Sequence, residues 1–208
     1  MHRHFRPSLP AHAGFKYSKR DSYQATRVDN EERFELIASR IKPSASNALD
    51  IGCNAGYITR QAAQRGLFTL GIERKQMLVN QANKKSNSSN CNFIQQDLTP
   101  NTIKRLPQFD VAFLLAVYYH WGNAYGWSEA EGMLSDLANQ TEQLFVETPN
   151  SLKYIKSDRL DIKKESREAL KEYFSKIVPN RSVECIGETA YRNGERTELL
   201  FEIKSESI

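Results

Sequence analysis

The sequence predicts an α/β fold: a mostly parallel seven-stranded sheet between two helical layers, finished by an antiparallel β-hairpin. Three observations lead there. Short apolar runs alternate with helical stretches of 10–14 residues, which is how successive βαβ units read. Three of those runs, NALDIGC, FDVAFLLAV and EQLFVET, are nearly continuous in apolar residues, as strands are when helices cover both faces. Near the C-terminus the character changes. RSVECIGETAY and ERTELLFEIK flank Arg192-Asn193-Gly194, a turn signal that joins them as a hairpin.

In chain order, NEERFELIASRIK (30–42) places Phe34, Ile37 and Ile41 at helical spacing, with acids in the first turn and Pro43 just beyond. NALDIGC (47–53) is the first strand, and YITRQAAQRG (57–66) a helix closed by Gly66. LFTLGIE and KQMLVNQANKK form the next strand and helix, followed by the strand CNFIQQD. FDVAFLLAV is the fourth strand, SEAEGMLSDLANQ a helix, EQLFVET the fifth strand and SREALKEYFSKIV a last helix before the hairpin. The stretch NKKSNSSN (83–90) is the one biased patch and reads as a surface loop. The expected organisation is a basic N-terminal arm over 1–29 and one domain over 30–208.

Composition narrows the function classes. No run of about 18 apolar residues exists, so no membrane span is expected, and the first residues lack the apolar segment of a signal peptide. The three cysteines, Cys53, Cys91 and Cys185, are odd in number and far apart, which suits a reducing cytoplasm and suggests neither a disulfide framework nor a metal site. With 29 basic and 25 acidic residues the net charge is only +4, too balanced to mark a nucleic-acid binder. The excess gathers at the start, where Arg3, Arg6, Lys16, Lys19, Arg20 and Arg27 face only Asp21 and Asp29, beside His2, His4 and His12. That arm reads as a solvated tail or as a flap touching an anionic substrate.

The chemistry begins at LDIGCNAGY (49–57). Gly52 permits a sharp turn at the strand end, and Gly56 lets the following helix pack close. The middle glycine of a dinucleotide-binding loop, which admits a pyrophosphate, is replaced by Asn54. Asn tolerates positive φ, so the turn survives while the phosphate cradle is lost. No Gly-Lys-Ser/Thr follows, so this is no P-loop either. Glu73 ends the second strand 21 residues after Gly52, the spacing of an acid that accepts ribose hydroxyls, and Asp97 follows the third strand 24 residues later. Asp50, Glu73 and Asp97 therefore ring the carboxyl edge of the sheet. A pyrophosphate would be repelled there. A nucleoside with a positive centre and an α-ammonium would not.

LDIGCNAGY, GIER, QQDL and FDVAFLLAVYYHW, in that order, resemble the successive cofactor motifs of class I (Rossmann-like) S-adenosylmethionine-dependent methyltransferases over about residues 30–150. The resemblance implies a three-layer sandwich and S-adenosyl-L-methionine as cofactor. Asp50, Gly52, Cys53, Asn54 and Gly56 would then hold its methionine part, Glu73 the ribose, and Asp97 with Leu98 the adenine, with Ala116 at the neighbouring strand end. Arg27, in the lead-in YQATRVDNEERFELI, matches an upstream arginine that pairs with the cofactor carboxylate in some members. Cys53 reads as a small packing residue within this loop, since no base accompanies it in the chain.

The acceptor is sought in AVYYHWGNAYGW (116–127), the densest aromatic stretch, expected as a loop after the fourth strand. It lacks the Pro-Pro-aromatic signature of enzymes that methylate exocyclic amines of bases. His120, the only histidine outside the arm, is a candidate general base for a hydroxyl, with Tyr119 beside it. Packing within the aromatic cluster is the competing reading. Glu147, at the end of the fifth strand, is a second candidate base or a solvated strand end. EERFELI, LDIGCNAGY and SEAEGMLSDLANQTEQLFVET together resemble small bacterial methyltransferases, and that resemblance implies O-methylation of a small-molecule or carbohydrate-like acceptor. LDIGCNAGYIT with the later aromatic-His-Trp-Gly stretch also resembles methyltransferases of RNA 5′ phosphates, which makes RNA the alternative, and a non-catalytic cofactor-binding protein on the same fold is a third.

Overall fold

The structure, a computed structural model, describes Arg27 and residues 29–191 and 196–205. The N-terminal arm with its three histidines and the Arg-Asn-Gly turn of the hairpin lie outside the described residues.

Seven strands form one sheet: β1 Asn47–Ile51, β2 Phe68–Glu73, β3 Cys91–Gln95, β4 Phe109–Leu115, β5 Thr141–Pro149, β6 Arg181–Tyr191 and β7 Arg196–Ser205. Their order is β3-β2-β1-β4-β5-β7-β6, with β7 antiparallel to both neighbours and every other pair parallel. The chain builds outward from β1 to β3, then returns to lay β4 against the other side of β1. The crevice beyond the carboxyl ends of β1 and β4 is thus the place where an open α/β sheet takes its ligand.

Alternation along the strands feeds two cores. Ala48, Val111, Phe113, Phe145 and Leu200 pack with Phe34 and Ile37 of α1 (Asn30–Ala38) and Ile58 and Ala62 of α2 (Tyr57–Gln64). Leu49, Ile51, Ala112, Leu114, Leu144 and Val146 point the other way, into a larger core with the helices that follow. Cys53 and Phe93 pack with Val79 and Ala82 of α3 (Gln76–Lys85) in a smaller cluster.

Two helices fall where the sequence predicts none. A four-residue α4, Pro100–Ile103, is nucleated by a capping box in which the Thr99 and Thr102 side chains serve each other's backbone, with Pro100 at the first helical position. The aromatic stretch expected as a loop is α5, Tyr118–Tyr125, which ends at Gly126 before α6, Trp127–Asn139. Aromatic residues are only middling helix formers, and tertiary burial outweighs that preference here. Tyr118, Tyr119 and Trp121 are buried, and Gly122 lies so close to the Trp127 ring that a Cβ there would come within 2.5 Å of it. The last helix, α7, spans Ser166–Ile177.

Candidate functional site

The glycine loop is built by backbone demands. Gly52, Asn54 and Gly56 all have positive φ, at 68°, 53° and 77°. A Cβ on Gly52 would come within 2.6 Å of Val117, and one on Gly56 within 2.4 Å of the Phe93 ring, so both positions are also closed to side chains by contact. Asn54 occupies the left-handed region that its side chain tolerates, and its Oδ1 accepts the backbone N–H of Ala55 at 2.8 Å. The β4 end mirrors this strain. Ala116 has φ 58°, a conformation costly for a residue with a Cβ and typical of sites fixed by their surroundings. It is pinned by its N–H on the Glu147 carbonyl at 3.1 Å.

Around this loop the three predicted acids share the carboxyl edge. Asp50 pairs in register with Gly71 of β2 and Phe113 of β4. It is 3% exposed and accepts the Thr59 hydroxyl at 2.6 Å. Burial pushes its carboxyl up to about 6, against the Thr59 hydrogen bond and the positive charge of Arg33. Glu73, at the end of β2, accepts the backbone N–H of Lys75 at 2.9 Å and that of Asn54 at 3.2 Å, which fixes it beside the turn. Asp97 and Leu98 follow β3, and Tyr125 of α5 donates its hydroxyl to the Leu98 carbonyl at 3.3 Å. The Cys53 thiol is pushed up by burial and then by the charges of Asp50 and Glu73, so it stays protonated and packs.

Arg27 and Glu147 take places other than those expected. Glu147 is wholly buried, neither a solvated strand end nor a carboxylate open to an acceptor. It accepts from Arg27 Nη2 at 2.9 Å, Arg33 Nη1 at 2.9 Å and the Thr189 hydroxyl at 2.7 Å. Burial alone would raise its carboxyl, but the Arg33 and Arg27 charges win and hold it below its ordinary range. Arg27 spends its donors on Asp29 (2.7 Å), Glu147, Glu198 (2.8 Å) and Thr189 (3.0 Å). A guanidinium has five N–H groups, and these partners absorb them, which leaves none for a cofactor carboxylate. Arg27 anchors the start of the domain between β5, β6 and β7, and Glu147 is its main counter-charge.

Sequence reasoning missed Arg33. It is 2% exposed on the inner face of α1, one residue before Phe34 and four before Ile37. Its Nη1 bonds Glu147 and its Nη2 bonds Asn30 at 3.2 Å, while its buried Nε has no hydrogen-bond partner among the described residues. An orphaned buried donor costs on the order of 1–3 kcal/mol, so it is a group that awaits an acceptor. The signal in the sequence was a cation on the apolar stripe of a helix.

On the other side of Ala116, the first turn of α5 presents Tyr119 and His120, whose rings lie 4.2 Å apart. Tyr118 turns inward instead. Its hydroxyl meets that of Tyr173 at 2.7 Å, Tyr173 donates to Glu131 at 3.1 Å, and Ser157 and Arg159 bond the same carboxylate. This buried chain ties α5, α6, α7 and the segment after β5 together, and so fixes the first turn of α5 that carries Tyr119 and His120.

The comparisons with known proteins decide what edge this is. Residues 48–141, from β1 through the first residue of β5, match the model of a methyltransferase domain. Over that stretch, just under half of its length, the chain is similar to a methyltransferase domain. Over 129 residues, 57% of its length, it is 28% identical to the O-antigen chain terminator bifunctional methyltransferase/kinase WbdD of Escherichia coli, of which the match spans 18%. The crystal structure of WbdD superposes with a TM-score of 0.69 at 21% identity, over 88% of this chain and 42% of that one. Magnesium protoporphyrin IX methyltransferase ChlM from Synechocystis PCC 6803, solved with S-adenosylmethionine bound, superposes with a TM-score of 0.59 at 20% identity, over 85% of this chain and 78% of that one. The chain therefore spans well under half of the WbdD polypeptide. Among its described residues no helix is long and apolar enough to cross a membrane.

Proposed function

We propose that the methyltransferase transfers a methyl group from S-adenosylmethionine to an oxygen of a small, carbohydrate-like acceptor. The observation that supports this reading is the order along the carboxyl edge of the sheet. Asp50, Glu73 and Asp97 lie at or just beyond the ends of β1, β2 and β3, and the aromatic turn bearing His120 follows β4. Similarity to an O-antigen chain terminator favours a carbohydrate among the oxygen acceptors.

The residues fit the cofactor. The turn over 52–56 leaves room for backbone approach but provides no phosphate cradle. Asp50 takes the α-ammonium, Glu73 the two ribose hydroxyls, and Asp97 with the Leu98 backbone the adenine. Arg33, through its orphaned Nε, takes the α-carboxylate in place of Arg27. When bound, the cofactor supplies an electrophilic methyl on a sulfonium.

The chain's own contribution is positioning and one proton. Holding an acceptor oxygen in line with the methyl converts a bimolecular step into a local one, with effective molarities that reach about 10⁵–10⁸ M. A hydroxyl is a weak nucleophile, so His120 accepts its proton as the bond to carbon forms, while Tyr119 orients the acceptor. Glu147 has no part in that proton transfer, because it is sealed beneath the site by Arg27 and Arg33.

The test is transfer of labelled methyl from S-adenosylmethionine to metabolite, glycan and RNA fractions kept apart. Alkali-stable label in the carbohydrate fractions is the expected result. Label confined to RNA would replace this reading with the RNA-end one, and tight cofactor binding without transfer to any fraction would mark a non-catalytic protein.

A further inference from the structure

The acceptor side of the crevice carries a charge pattern opposite to that of the cofactor side. Arg196, the first residue of β7, lays its guanidinium over the Tyr191 ring at 3.8 Å and over the Tyr154 ring at 5.0 Å. Tyr154 lies on the short 3₁₀ turn Leu152–Tyr154 after β5, and its ring centroid is 6.1 Å from that of Tyr119. Lys153 adds a second cation, with Nζ 5.3 Å from the Tyr154 ring. Four separate elements thus bring Tyr119, Tyr154, Tyr191 and Arg196 to one corner beside His120.

Arg196 is only partly neutralised there. Its Nη2 meets Glu198 at 3.1 Å, but Glu198 also accepts Arg27 at 2.8 Å. Burial and the neighbouring Glu147 charge push the Glu198 carboxyl up, against the Arg27 and Arg196 charges, so this one carboxylate is shared between two guanidiniums. Burial works against the charge of Arg196 itself, yet Glu198 and the hydroxyls of Tyr119 and Tyr154 overcome this and keep it firmly protonated. Its Nε is buried and has no hydrogen-bond partner among the described residues. A tyrosine hydroxyl that accepts from a guanidinium still has its own proton to donate. The guanidinium fork matches the oxygens of a phosphate or carboxylate better than it matches a neutral hydroxyl.

We propose that this corner binds an anionic group, a phosphate or a carboxylate, carried by the acceptor, with Arg196 as the specificity-determining residue and the Tyr154 hydroxyl as a further donor. The proposal rests on the reading of the site as a methyltransferase of carbohydrate-like acceptors. It adds that the sugar is charged, and that this charge, anchored at Arg196, sets which oxygen lies next to His120. A purely structural Arg196 would staple the start of β7 to the turn after β5 and show no preference among ligands.

The experiment titrates the protein, saturated with S-adenosylhomocysteine, with inorganic phosphate, glucose 1-phosphate, glucuronate and glucose. The phosphates or the glucuronate, depending on which anion the corner fits, should bind at least tenfold tighter than glucose and weaken as salt is raised. Arg196→Met should abolish that preference, Arg196→Lys should keep part of it, and S-adenosylhomocysteine affinity should stay within about twofold in both. Equal binding of glucose and the anions, or an undiminished preference in Arg196→Met, would overturn the proposal. Should Arg196→Met fail to fold, Tyr154→Phe and the salt dependence of the unmodified protein decide instead, and a salt-independent titration overturns it. Preference for a 5′-phosphorylated oligoribonucleotide over every sugar would overturn the carbohydrate class. Failure of the unmodified protein to bind S-adenosylhomocysteine would count against the functional reading, not against the anion corner.

Discussion

The two sides of the crevice are made differently. The cofactor side is a property of local chain: a glycine turn, a strand ending in Glu73 and another followed by Asp97, each fixed within a few residues of backbone. The acceptor side is assembled from distant pieces, with Tyr119 on α5, Tyr154 after β5, and Tyr191 and Arg196 on the terminal hairpin. Local backbone holds a cofactor whose shape does not change, whereas a composite wall is re-shaped by single substitutions. The acceptor-side contacts should therefore govern turnover and selectivity, and the cofactor-side contacts affinity alone.

The largest effect should fall on the acceptor side. His120→Ala is expected to lower turnover about 10²- to 10⁴-fold, the usual range for a positioned acid–base group, with cofactor affinity within about twofold. Single-turnover kinetics on the acceptor separates the two. Full turnover in the variant would mean a pre-ionised acceptor oxygen and no role for His120 as base.

The boundary between the two sides is the buried ion cluster, and breaking it should cost stability. Glu147→Gln removes one of the three carboxylates around Arg27 and the carboxylate that pairs with Arg33. Removal of one partner from a buried pair costs about 3–5 kcal/mol. Denaturant unfolding should show that loss. A change under about 1 kcal/mol, with activity lost all the same, would return Glu147 to the chemistry.

On the cofactor side the expected effect depends on pH. The Asp50 carboxyl sits at about 6 in the free protein. A cationic α-ammonium favours its ionised form, so below that pH binding must first expel a proton. Affinity for S-adenosylhomocysteine should be level above about pH 7 and fall towards tenfold per unit below about 6. In Asp50→Asn that slope should flatten; a slope unchanged in the variant would assign the proton to another group.

The smallest effect should come from Tyr119→Phe, which keeps the ring and removes one hydroxyl. One hydrogen bond of about 0.5–1.5 kcal/mol corresponds to roughly a two- to tenfold rise in the acceptor KM, with kcat nearly unchanged. A collapse of kcat would make Tyr119, not His120, the proton acceptor.

This contrast also explains what the sequence discloses. The sheet, its terminal hairpin and the positive-φ loop at Asn54 are legible because apolar periodicity and glycine placement are local. α5 is not, because Tyr118 and Trp121 become helical through burial against Tyr173 and its neighbours, contacts some 50 residues away in the chain. Arg27 and Arg33 show the same limit within one short segment. Both are upstream arginines, and only the fold reveals that Glu147, Glu198 and Asp29 saturate the first while the second keeps a buried donor unused.

The most direct test of the account is calorimetric titration of S-adenosylhomocysteine into the unmodified protein and into Glu73→Ala, with NAD as the control ligand. Loss of a hydrogen-bonded charged acceptor for the ribose is worth roughly 1.5–3 kcal/mol. The account predicts binding of S-adenosylhomocysteine but not NAD, and about 10- to 150-fold weaker binding by the folded variant. Equal affinity in the two proteins, or NAD bound as tightly, would contradict it.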